Sequence, residues 1–389
     1  METTGASRPP LAGIRVLDLT RLLPGPVCTL HLADLGAEVL KIEDTGLGDY
    51  AAPALRAMVQ RNKKGMRLDL KQADGVALLH RLAESADVLV EGFRPGVMDR
   101  LGVGYAALSA ANPRLVYCSI TGFGQTGPYR DEPGHDLNYC ALSGVSDQIG
   151  RDDAGPALSN LPIADLLGGS MNAVMGILAA LFDAARTGTG RHVDIAMADG
   201  VLAHALVPLV TLATQGATRR AGLDKLSGAL PCYAMYRTQD GRHLSVGALE
   251  HKFWERFCDV LGRPDLKPMH MPPDRATAEQ VRADVAALIE ARPLAYWADV
   301  FHGRQCCVTP VLRLEEALAH ENFIARGMVH PPAVEGGAPQ LACPVKMTGF
   351  EFSIERPAPS PGQDTDEVLA ALGHDETARA DLRRRGVVG

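Results

Sequence analysis

The chain has 389 residues, of which 46% are hydrophobic and 22% are charged, and its formal net charge at pH 7 is −7. The composition is typical of a globular protein, and the length exceeds what one hydrophobic core usually serves, so we expect two domains. The negative charge argues against an extensive nucleic-acid-binding surface, although a local basic pocket for an anionic ligand remains compatible with it.

The predicted elements begin with alternating strands and helices. In chain order they are a strand in IRVLDL, a helix in VCTLHLADLGA that ends near Gly36, a strand in EVLKIE, a helix in GVALLHRLAESA, and strands in DVLVEGF and PRLVYCSITGFG. Strands and helices that alternate in this way predict a parallel sheet of the α/β class.

A long helix is predicted next, in PIADLLGGSMNAVMGILAALFDAARTGTG, with start signals at Pro162 and Asp165 and a stop signal at Gly188. A strand and a helix follow in GRHVDIAMADGVLAHAL, and the polar ATQGATRRAGLDKLSGALP predicts an exit from the first domain. YAMYRTQDGRHLSVGA predicts a hairpin that turns at Asp240 and Gly241. Further helices, a Pro-rich linker and a terminal helix complete the prediction.

The eight cysteines form no C-x-x-C pair, and most of them lie in apolar runs. This favours reduced, mostly buried thiols in a cytoplasmic protein over a disulfide framework or a zinc site. The N-terminal METTGASRPPLAG lacks the apolar core of a secretory signal. Asp194, Asp199 and His204 interrupt the longest apolar region, residues 193–216, so we expect no membrane span.

The segment GFGQTG, from Gly122 to Gly127, matches the G-x-G-x-x-G pattern and follows a predicted strand. A dinucleotide site also needs a helix that opens at the third glycine, whereas Pro128 and a loop-like YRDEPG follow here. The pattern therefore favours a glycine turn at the carboxyl end of a strand, an edge where α/β sheets commonly bind ligands.

Several polar residues leave more than one interpretation open. Asp165 can cap its helix or act as a base beside backbone N–H groups, which Gly168 and Gly169 would expose to a ligand. His135 and Glu250, each taken alone, are more typical of the surface. Each basic residue of the first hundred positions, taken alone, is also more typical of ordinary surface than of a phosphate-binding patch. These basic residues are Lys41, Lys63, Lys64, Arg67, Lys71, Arg94 and Arg100.

Long stretches of the chain are similar to the family III CoA-transferases, the CaiB/BaiF superfamily, and within it to the α-methylacyl-CoA racemases. They are GIRVLDLTRLLPGPVCTLHLADLGAEVLKIE, NKKGMRLDLK, ADVLVEGFRPGVMDRLGVGY, YCSITGFGQTGPYRDEPGHDLNYCALSG, ADLLGGSMNAVMGILAAL, TGTGRHVDIAMADG, VGALEHKFW and PGQDTDEVLAALG. The resemblance implies an acyl-CoA substrate, with no cofactor besides the CoA that belongs to the substrate and no metal.

Two chemistries compete within this family. The resemblance implies that transferases use an aspartate at the position of Asp165 as a nucleophile, whereas racemases keep that aspartate and add a histidine in a G-H-D-x-N-Y context. His135 stands in that context here, and Glu250 matches the racemase glutamate. His135 and Asp165 would exchange an α-proton between the two faces of the carbon, with Glu250 orienting His135 and N–H groups near Gly168 and Gly169 binding the enolate oxygen.

The resemblance also implies a set of substrate contacts. CoA would be contacted by Leu68, Asp69, Leu70, Lys71, Gly92, Phe93, Arg94 and Arg100, and the thioester by Gly134, Asp136, Leu137, Asn138 and Tyr139. Within this last group, Asp136 would be a structural or CoA-positioning neighbour of His135. One position departs from the family pattern, since Asp44 stands where an arginine often contacts the nucleotide end. We expect Lys41, Lys63 or Lys64 to compensate for it.

The fold that the resemblance implies is α/β, with a large Rossmann-like domain and a smaller α+β domain in an interlocked homodimer. The large CoA-binding domain would span residues 1–205, a linker 206–225, the small domain 226–325, and a linker with a return to the large domain 326–389. The active site would lie between the large domain of one chain and the small domain of the other. A monomer would then be inactive.

The resulting hypothesis is a racemase or epimerase of 2-methylacyl-CoA thioesters. A CoA-transferase with Asp165 as its nucleophile is the alternative. A non-catalytic protein that binds CoA thioesters is a third possibility, which the intact trio of His135, Asp165 and Glu250 disfavours. Neither a nucleic acid nor a membrane is expected as a partner.

Overall fold

The computed structural model describes residues 8–46, 52–332 and 336–389. In chain order, the strands within these ranges are β1 (Arg15–Leu19), β2 (Glu38–Glu43), β3 (Lys63–Arg67), β4 (Val88–Glu91), β5 (Val116–Thr121), β6 (Gly150–Arg151), β7 (Gly155–Pro156), β8 (His192–Ala196), β9 (Tyr233–Arg237), β10 (His243–Gly247), β11 (Val308–Pro310), β12 (Val329–His330) and β13 (Gln340–Leu341).

The α-helices are α1 (Pro24–Asp34), α2 (Pro53–Val59), α3 (Ala73–Ala83), α4 (Val97–Arg100), α5 (Tyr105–Ala111), α6 (Asp136–Leu142), α7 (Asn172–Thr187), α8 (Met197–Ala203), α9 (Leu206–Gln215), α10 (His251–Val260), α11 (Arg275–Glu290), α12 (Leu294–Phe301), α13 (Leu314–Leu318), α14 (Glu321–Ala325), α15 (Thr365–Ala371) and α16 (Glu376–Arg384). A π-helix, Ala164–Met171, runs directly into α7.

The chain forms two compact units. The first comprises the residues up to Ser143, Leu161–His204 and Glu321–Gly389, and the second comprises Gly144–Asn160 and Ala205–His320. Thus residues 144–160, which the sequence analysis placed in the large domain, belong to the second unit. The stretch 206–225, expected to be a linker, begins with helix α9.

The first unit contains a six-stranded sheet in the order β3-β2-β1-β4-β5-β8, and every neighbouring pair in it is parallel. This confirms the predicted parallel sheet of the α/β class. Strand β3 was not predicted, because its sequence KKGMR looks like a polar surface segment. It is nevertheless an ordered strand, with Lys63 and Met66 fully buried.

A buried cluster of charges lies where β1, β2 and β3 run side by side. The carboxylate of Asp18 is 3.4 Å from Lys41 Nζ and 3.1 Å from Lys63 Nζ, and all three side chains are inaccessible to solvent. The hydroxyls of Thr20 and Thr29 each donate to Asp18 at 2.6 Å. Burial alone would raise the pKa of Asp18, but the two ammonium groups and the two hydroxyls hold it well below its usual range.

A second buried carboxyl group, Glu91, ends strand β4 and is 4% exposed. It accepts a hydrogen bond from the N–H of Phe93 at 2.8 Å and another from the hydroxyl of Ser119, whose Oγ is 3.0 Å from His192 Nε2. Burial raises the pKa of Glu91 to about 7, since these two hydrogen bonds offset only part of the cost of removing the charge from water.

In the described chain, the helical run Ala164–Thr187 is long and apolar enough to cross a membrane, and so are α8 and α9 if this pair, bent by 55°, is counted as one span. In the first unit the run Ala164–Thr187 packs against strands β5 and β8 and helix α1, with Ala164, Ala173 and Ile177 fully buried. The run ends as predicted at Gly188, whose left-handed backbone (φ 75°) closes the helix at low cost because glycine has no Cβ.

The second unit contains the antiparallel sheet β11-β10-β9, with the predicted hairpin between β9 and β10. Aromatic rings form its core: the rings of Phe257 and Phe301 stack with centroids 5.5 Å apart, and Trp297 stacks on Phe301 at 5.7 Å. The indole N–H of Trp254 is buried but donates to the carbonyl of Leu266 at 2.9 Å, and this hydrogen bond offsets the cost of removing the N–H from water.

The Asp18 cluster generates a prediction on stability. Asp18→Asn removes the charge that balances two buried ammonium groups, so we expect the free energy of unfolding to fall by about 3–5 kcal/mol. Urea denaturation measures this loss. The control is Asp183→Asn, which breaks the exposed pair of Asp183 with Arg191 and should cost about 1 kcal/mol or less. Similar losses in both variants would contradict the role given to the cluster.

Glu91 generates a prediction on the pH dependence of stability. The folded protein keeps the Glu91 proton up to a pKa of about 7, whereas the usual pKa of a glutamate is 4.5, so this residue makes stability fall as the pH rises through that window. Glu91→Gln removes the effect. We therefore compare the unfolding free energy of the variant with that of the wild type. Between pH 4.5 and 8 this difference should change by on the order of 3 kcal/mol in favour of the variant. A difference that does not change with pH would show that Glu91 is not the titrating group.

Candidate active site

His135 stands at the start of α6, in the loop that follows strand β5. It is the residue before the helix, with extended backbone (φ −126°, ψ 175°), and its side chain is exposed. Its N–H donates to Asn138 Oδ1 at 3.0 Å, and its carbonyl accepts from the Asn138 N–H at 2.8 Å. Asn138, expected to contact the thioester, therefore uses its side-chain oxygen to fix the backbone of His135.

The glycines around this loop make room for the ring of Tyr139. A Cβ on Gly122 or Gly134 would lie 2.4 or 2.7 Å from Tyr139 Cε1, and the Tyr139 hydroxyl donates to the Gly134 carbonyl at 2.5 Å. The ring is buried and packs edge-on against Phe123, and burial raises the pKa of Tyr139 to about 12. This packing accounts for the glycine at the start of the G-x-G-x-x-G pattern, and no helix opens at Gly127.

Asp165 lies near the same loop, as the second residue of the π-helix. Its expected role as a helix cap is wrong, because Ile163 precedes the helix and the Asp165 N–H donates to Asp136 Oδ1 at 3.0 Å. Burial raises the pKa of Asp165 to about 6; the negative charge of Asp136 adds to the rise and His135 opposes it. The structure therefore brings Asp136, His135 and Asp165 together in the first unit.

Gly168 and Gly169 were expected to open the helix to a ligand, but they pack against other helices instead. A Cβ on Gly168 would lie 2.4 Å from the carbonyl oxygen of Met197, and one on Gly169 would lie 3.0 Å from Pro24 Cβ. The next residue, Ser170, is buried, and its hydroxyl donates to the Pro24 carbonyl at 2.6 Å. These small residues let α1 and α8 pack closely on the π-helix, so the side of each glycine where a Cβ would stand contacts protein and not a substrate.

The expected CoA contacts follow the carboxyl ends of strands β3 and β4. The side chain of Leu68 is 1% exposed and lies in the core, which excludes it as a side-chain contact. Asp69 donates its N–H to the Val387 carbonyl, and its carboxylate accepts from the N–H of Lys71 and from Gln72. Leu70 packs against the core and Lys71 is exposed. Of this stretch, Lys71 offers a free surface charge to a ligand.

The turn after β4 carries the other expected contacts. Gly92, Arg94 and Arg100 are exposed, and Phe93 is partly buried beneath the guanidinium of Arg21, which lies 5.1 Å from the ring centroid. The N–H of Phe93 binds the buried Glu91. Glu91 thereby holds the backbone of this turn, and the sequence analysis did not identify it as a candidate residue.

The expectation that Lys41 or Lys63 replaces the missing arginine is wrong, because both ammonium groups are buried against Asp18. Lys64 is exposed but pairs with Glu367 at 2.6 Å. Asp44 itself pairs with Arg21 at 2.5 Å, and its carbonyl accepts from Arg67 at 3.1 Å. Two arginines thus gather around Asp44 from other parts of the chain.

Glu250 belongs to the second unit, where it is exposed and immediately precedes helix α10. Its carbonyl accepts from the N–H groups of Phe253 and Trp254. Among the residues that the structure describes, no three or more His, Cys, Asp or Glu side chains are grouped so that they could hold a metal ion.

Sequence reasoning missed two residues of this region and did not identify the partner of a third. Arg21 and Glu91 each stand at the carboxyl end of a predicted strand, a position that could have drawn attention to both. Asp136 was expected to be a structural or CoA-positioning neighbour of His135, and its carboxylate accepts the Asp165 N–H and faces the thiol of Cys140 at 3.8 Å. The pairing of Asp136 with Asp165 joins residues 29 apart in the chain, and the sequence has no local signal for it.

The chain is similar in sequence to several known proteins. The sequence profile described as CoA-transferase family III matches residues 11–365. Human alpha-methylacyl-CoA racemase is 38% identical over 366 residues, which cover 93% of each chain. The acetyl-CoA:oxalate CoA-transferase of Acetobacter aceti is 36% identical over 389 residues, 95% of this chain and 97% of that protein.

A solved structure shares the fold. A CAIB/BAIF family protein from Brucella suis superposes with a TM-score of 0.81 at 27% identity, over 93% of this chain and 99% of that one. The profile match, the full-length relatives and this superposition lead to one conclusion: the chain belongs to the family III CoA-transferases.

Proposed function

We propose that the protein is a cofactor-independent racemase or epimerase of 2-methylacyl-CoA thioesters. The observation that carries the proposal is the position of Asp165, whose carboxyl group lies close to the exposed His135. The pKa of this carboxyl group is raised to about 6. A carboxyl group that titrates near neutrality can both accept and return a proton, as an acid/base catalyst must.

The reaction needs one proton on the pair of His135 and Asp165. In one direction the imidazole removes the α-proton from one face of the carbon, and the electrons of the C–H bond form the enolate of the thioester. The carboxylic acid of Asp165 then delivers its proton to the opposite face, and the enolate electrons form the new C–H bond. In the other direction the two residues exchange roles, so no other reactant is consumed.

The enolate oxygen needs hydrogen-bond donors, and the close packing of Gly168 and Gly169 against Met197 and Pro24 disfavours them in this role. The N–H groups of Asp136 and Leu137 are better placed, because they adjoin His135 and precede the first hydrogen bond of α6, which the Asn138 N–H makes with His135. Donors beside the base meet the charge where it develops during the reaction.

The remaining machinery of the proposal comes from the family resemblance. Lys71, Arg94 and Arg100, all exposed, would bind the phosphates of CoA at the carboxyl edge of the sheet. Glu250 would orient His135 in an interlocked homodimer that works in the cytoplasm. No metal or redox group takes part in this mechanism.

His135→Ala provides the direct test. Deuterium wash-in from D₂O at C2 of a 2-methylacyl-CoA should fall by about 10²–10⁴-fold, because the variant lacks one of the two proton carriers. Mass spectrometry of the recovered thioester measures the exchange. The control is Glu132→Gln, a change in the exposed loop before His135 that should leave the exchange rate unchanged. Undiminished exchange in His135→Ala would exclude the acid/base role of the histidine.

A CoA-transferase with Asp165 as its nucleophile is the second candidate, because the Acetobacter aceti transferase is nearly as similar to this chain as the human racemase. Under this alternative Asp165 would attack the thioester carbonyl, expel the CoA thiolate and form an acyl anhydride. Hydroxylamine would then trap a hydroxamate on Asp165 in the presence of an acyl-CoA. For the racemase we expect no such adduct by peptide mass spectrometry; its appearance, with CoA exchange between acids, would favour the transferase.

A further inference from the structure

Asp136 is the residue between the two candidate proton carriers, and its side chain is turned towards the protein. Oδ1 accepts the Asp165 N–H at 3.0 Å, and Oδ2 lies 3.8 Å from the thiol of Cys140, one helical turn away in α6. Asp136 directly follows His135 in the chain and is partly buried. It therefore connects the start of α6 with the start of the π-helix.

We propose that Asp136 is a positioning residue that adapts Asp165 to share a proton with His135, by holding the Asp165 backbone and by placing a fixed negative charge beside the Asp165 carboxyl group. This inference rests on the proposed racemase function and assigns to Asp136 a role other than contact with the substrate.

The chemistry explains why such a residue is needed. A racemase interconverts two substrates of equal free energy, so each carrier must serve as base in one direction and as acid in the other. An ordinary aspartate and an ordinary histidine differ by about 2.6 pKa units, which would leave the single proton almost entirely on the imidazole. The Asp165 form that donates a proton would then be scarce, and turnover would be limited by its population.

Two features of the site reduce this difference between the pKa values of the two carriers. Burial makes the larger contribution to the raised pKa of Asp165, and the charge of Asp136 makes the second. Two carboxylates that approach each other cannot both ionise easily, and the Asp165 N–H fixes Asp136 in that approach. The same hydrogen bond thus fixes the position of the carboxyl group and the charge that acts on it.

Few other charges act on Asp165. From α6 and the loop before it, Asp136, His135, Tyr139 and Cys140 face it, and burial raises the pKa of the tyrosine and of the cysteine, so both stay neutral at neutral pH. Helices α1, α7 and α8 and strand β8 also pack on the π-helix. Their titratable groups do not contribute to the shift of the Asp165 pKa: Cys28, His31, Asp34, Asp183, Arg186, His192, Asp194 and Asp199.

The test separates the charge of Asp136 from its hydrogen bond. Asp136→Asn keeps an oxygen that can accept the Asp165 N–H but removes the negative charge. We expect the acidic limb of the pH profile of kcat/KM for deuterium exchange to move down by about one pH unit. At pH 7 kcat should fall by up to about tenfold, while KM stays within about twofold.

Two further variants calibrate this result. Asp136→Ala removes the hydrogen bond as well and should lower kcat further, because the start of the π-helix is then no longer held. Asp131→Asn neutralises an exposed carboxylate five residues away that pairs with Arg130, and it should leave the acidic limb where it is in the wild type. An acidic limb in Asp136→Asn that coincides with that of the wild type overturns the proposal.

A measurement without substrate keeps the inference separate from the proposed function. Carbon-13 NMR of protein labelled at the aspartate side-chain carboxyl carbon, with Asp165→Asn to identify the resonance, reports the pKa of Asp165 directly. We expect this pKa to fall from about 6 towards its ordinary value in Asp136→Asn. A fall without any deuterium exchange in the wild type would support the action of Asp136 and overturn the racemase. An unchanged pKa would overturn the action of Asp136 whatever the activity.

Discussion

The buried carboxylate of Asp18 is the constraint on which the first unit depends. An ionised carboxylate inside a sheet is stable only with partners, and Lys41 from β2 and Lys63 from β3 supply them. Lys63 also donates to the carbonyl of Pro26 in α1 at 3.0 Å. The same charge cluster therefore holds three parallel strands in place and ties the first turn of α1 to them.

From α1 the constraint extends to the candidate active site. Pro24 begins this helix, and its carbonyl accepts the hydroxyl of Ser170, which also donates to the carbonyl of Asp165 at 3.1 Å. Asp136 holds the other side of Asp165 through its N–H. The backbone of Asp165 is thus held on two sides. Ser170 connects its carbonyl to α1 and so to the sheet, and Asp136 connects its N–H to α6. Preorganisation of this kind places a side chain before the substrate arrives.

The periodic features of the fold could be predicted from the sequence, whereas the fate of its charged residues could not. Strands β1, β2, β4 and β5 follow from short apolar runs, and the end of α7 follows from Gly188. Lys63 looks like a surface residue because its burial depends on Asp18, which lies 45 positions away. For the site, the family resemblance pointed to His135 and Asp165 as the two proton carriers, which stays a prediction. The paired glycines were misjudged, since they contact other helices, and the sequence did not reveal that Asp136 accepts the Asp165 N–H.

Because Asp165 lies in a π-helix, the direction of its side chain depends on the number of residues in that segment. A π-helix takes up one residue more per turn than an α-helix, so it acts as an insertion that the surrounding packing accommodates. Each residue of an α-helix turns the chain by about 100°. If the segment Ala164–Met171 were to shorten by one residue and continue as regular α-helix, Asp165 would rotate away from Asp136 while α7 kept its place. The direction in which the carboxyl group points is therefore set by a residue count, so a deletion in this segment would displace Asp165 without any substitution.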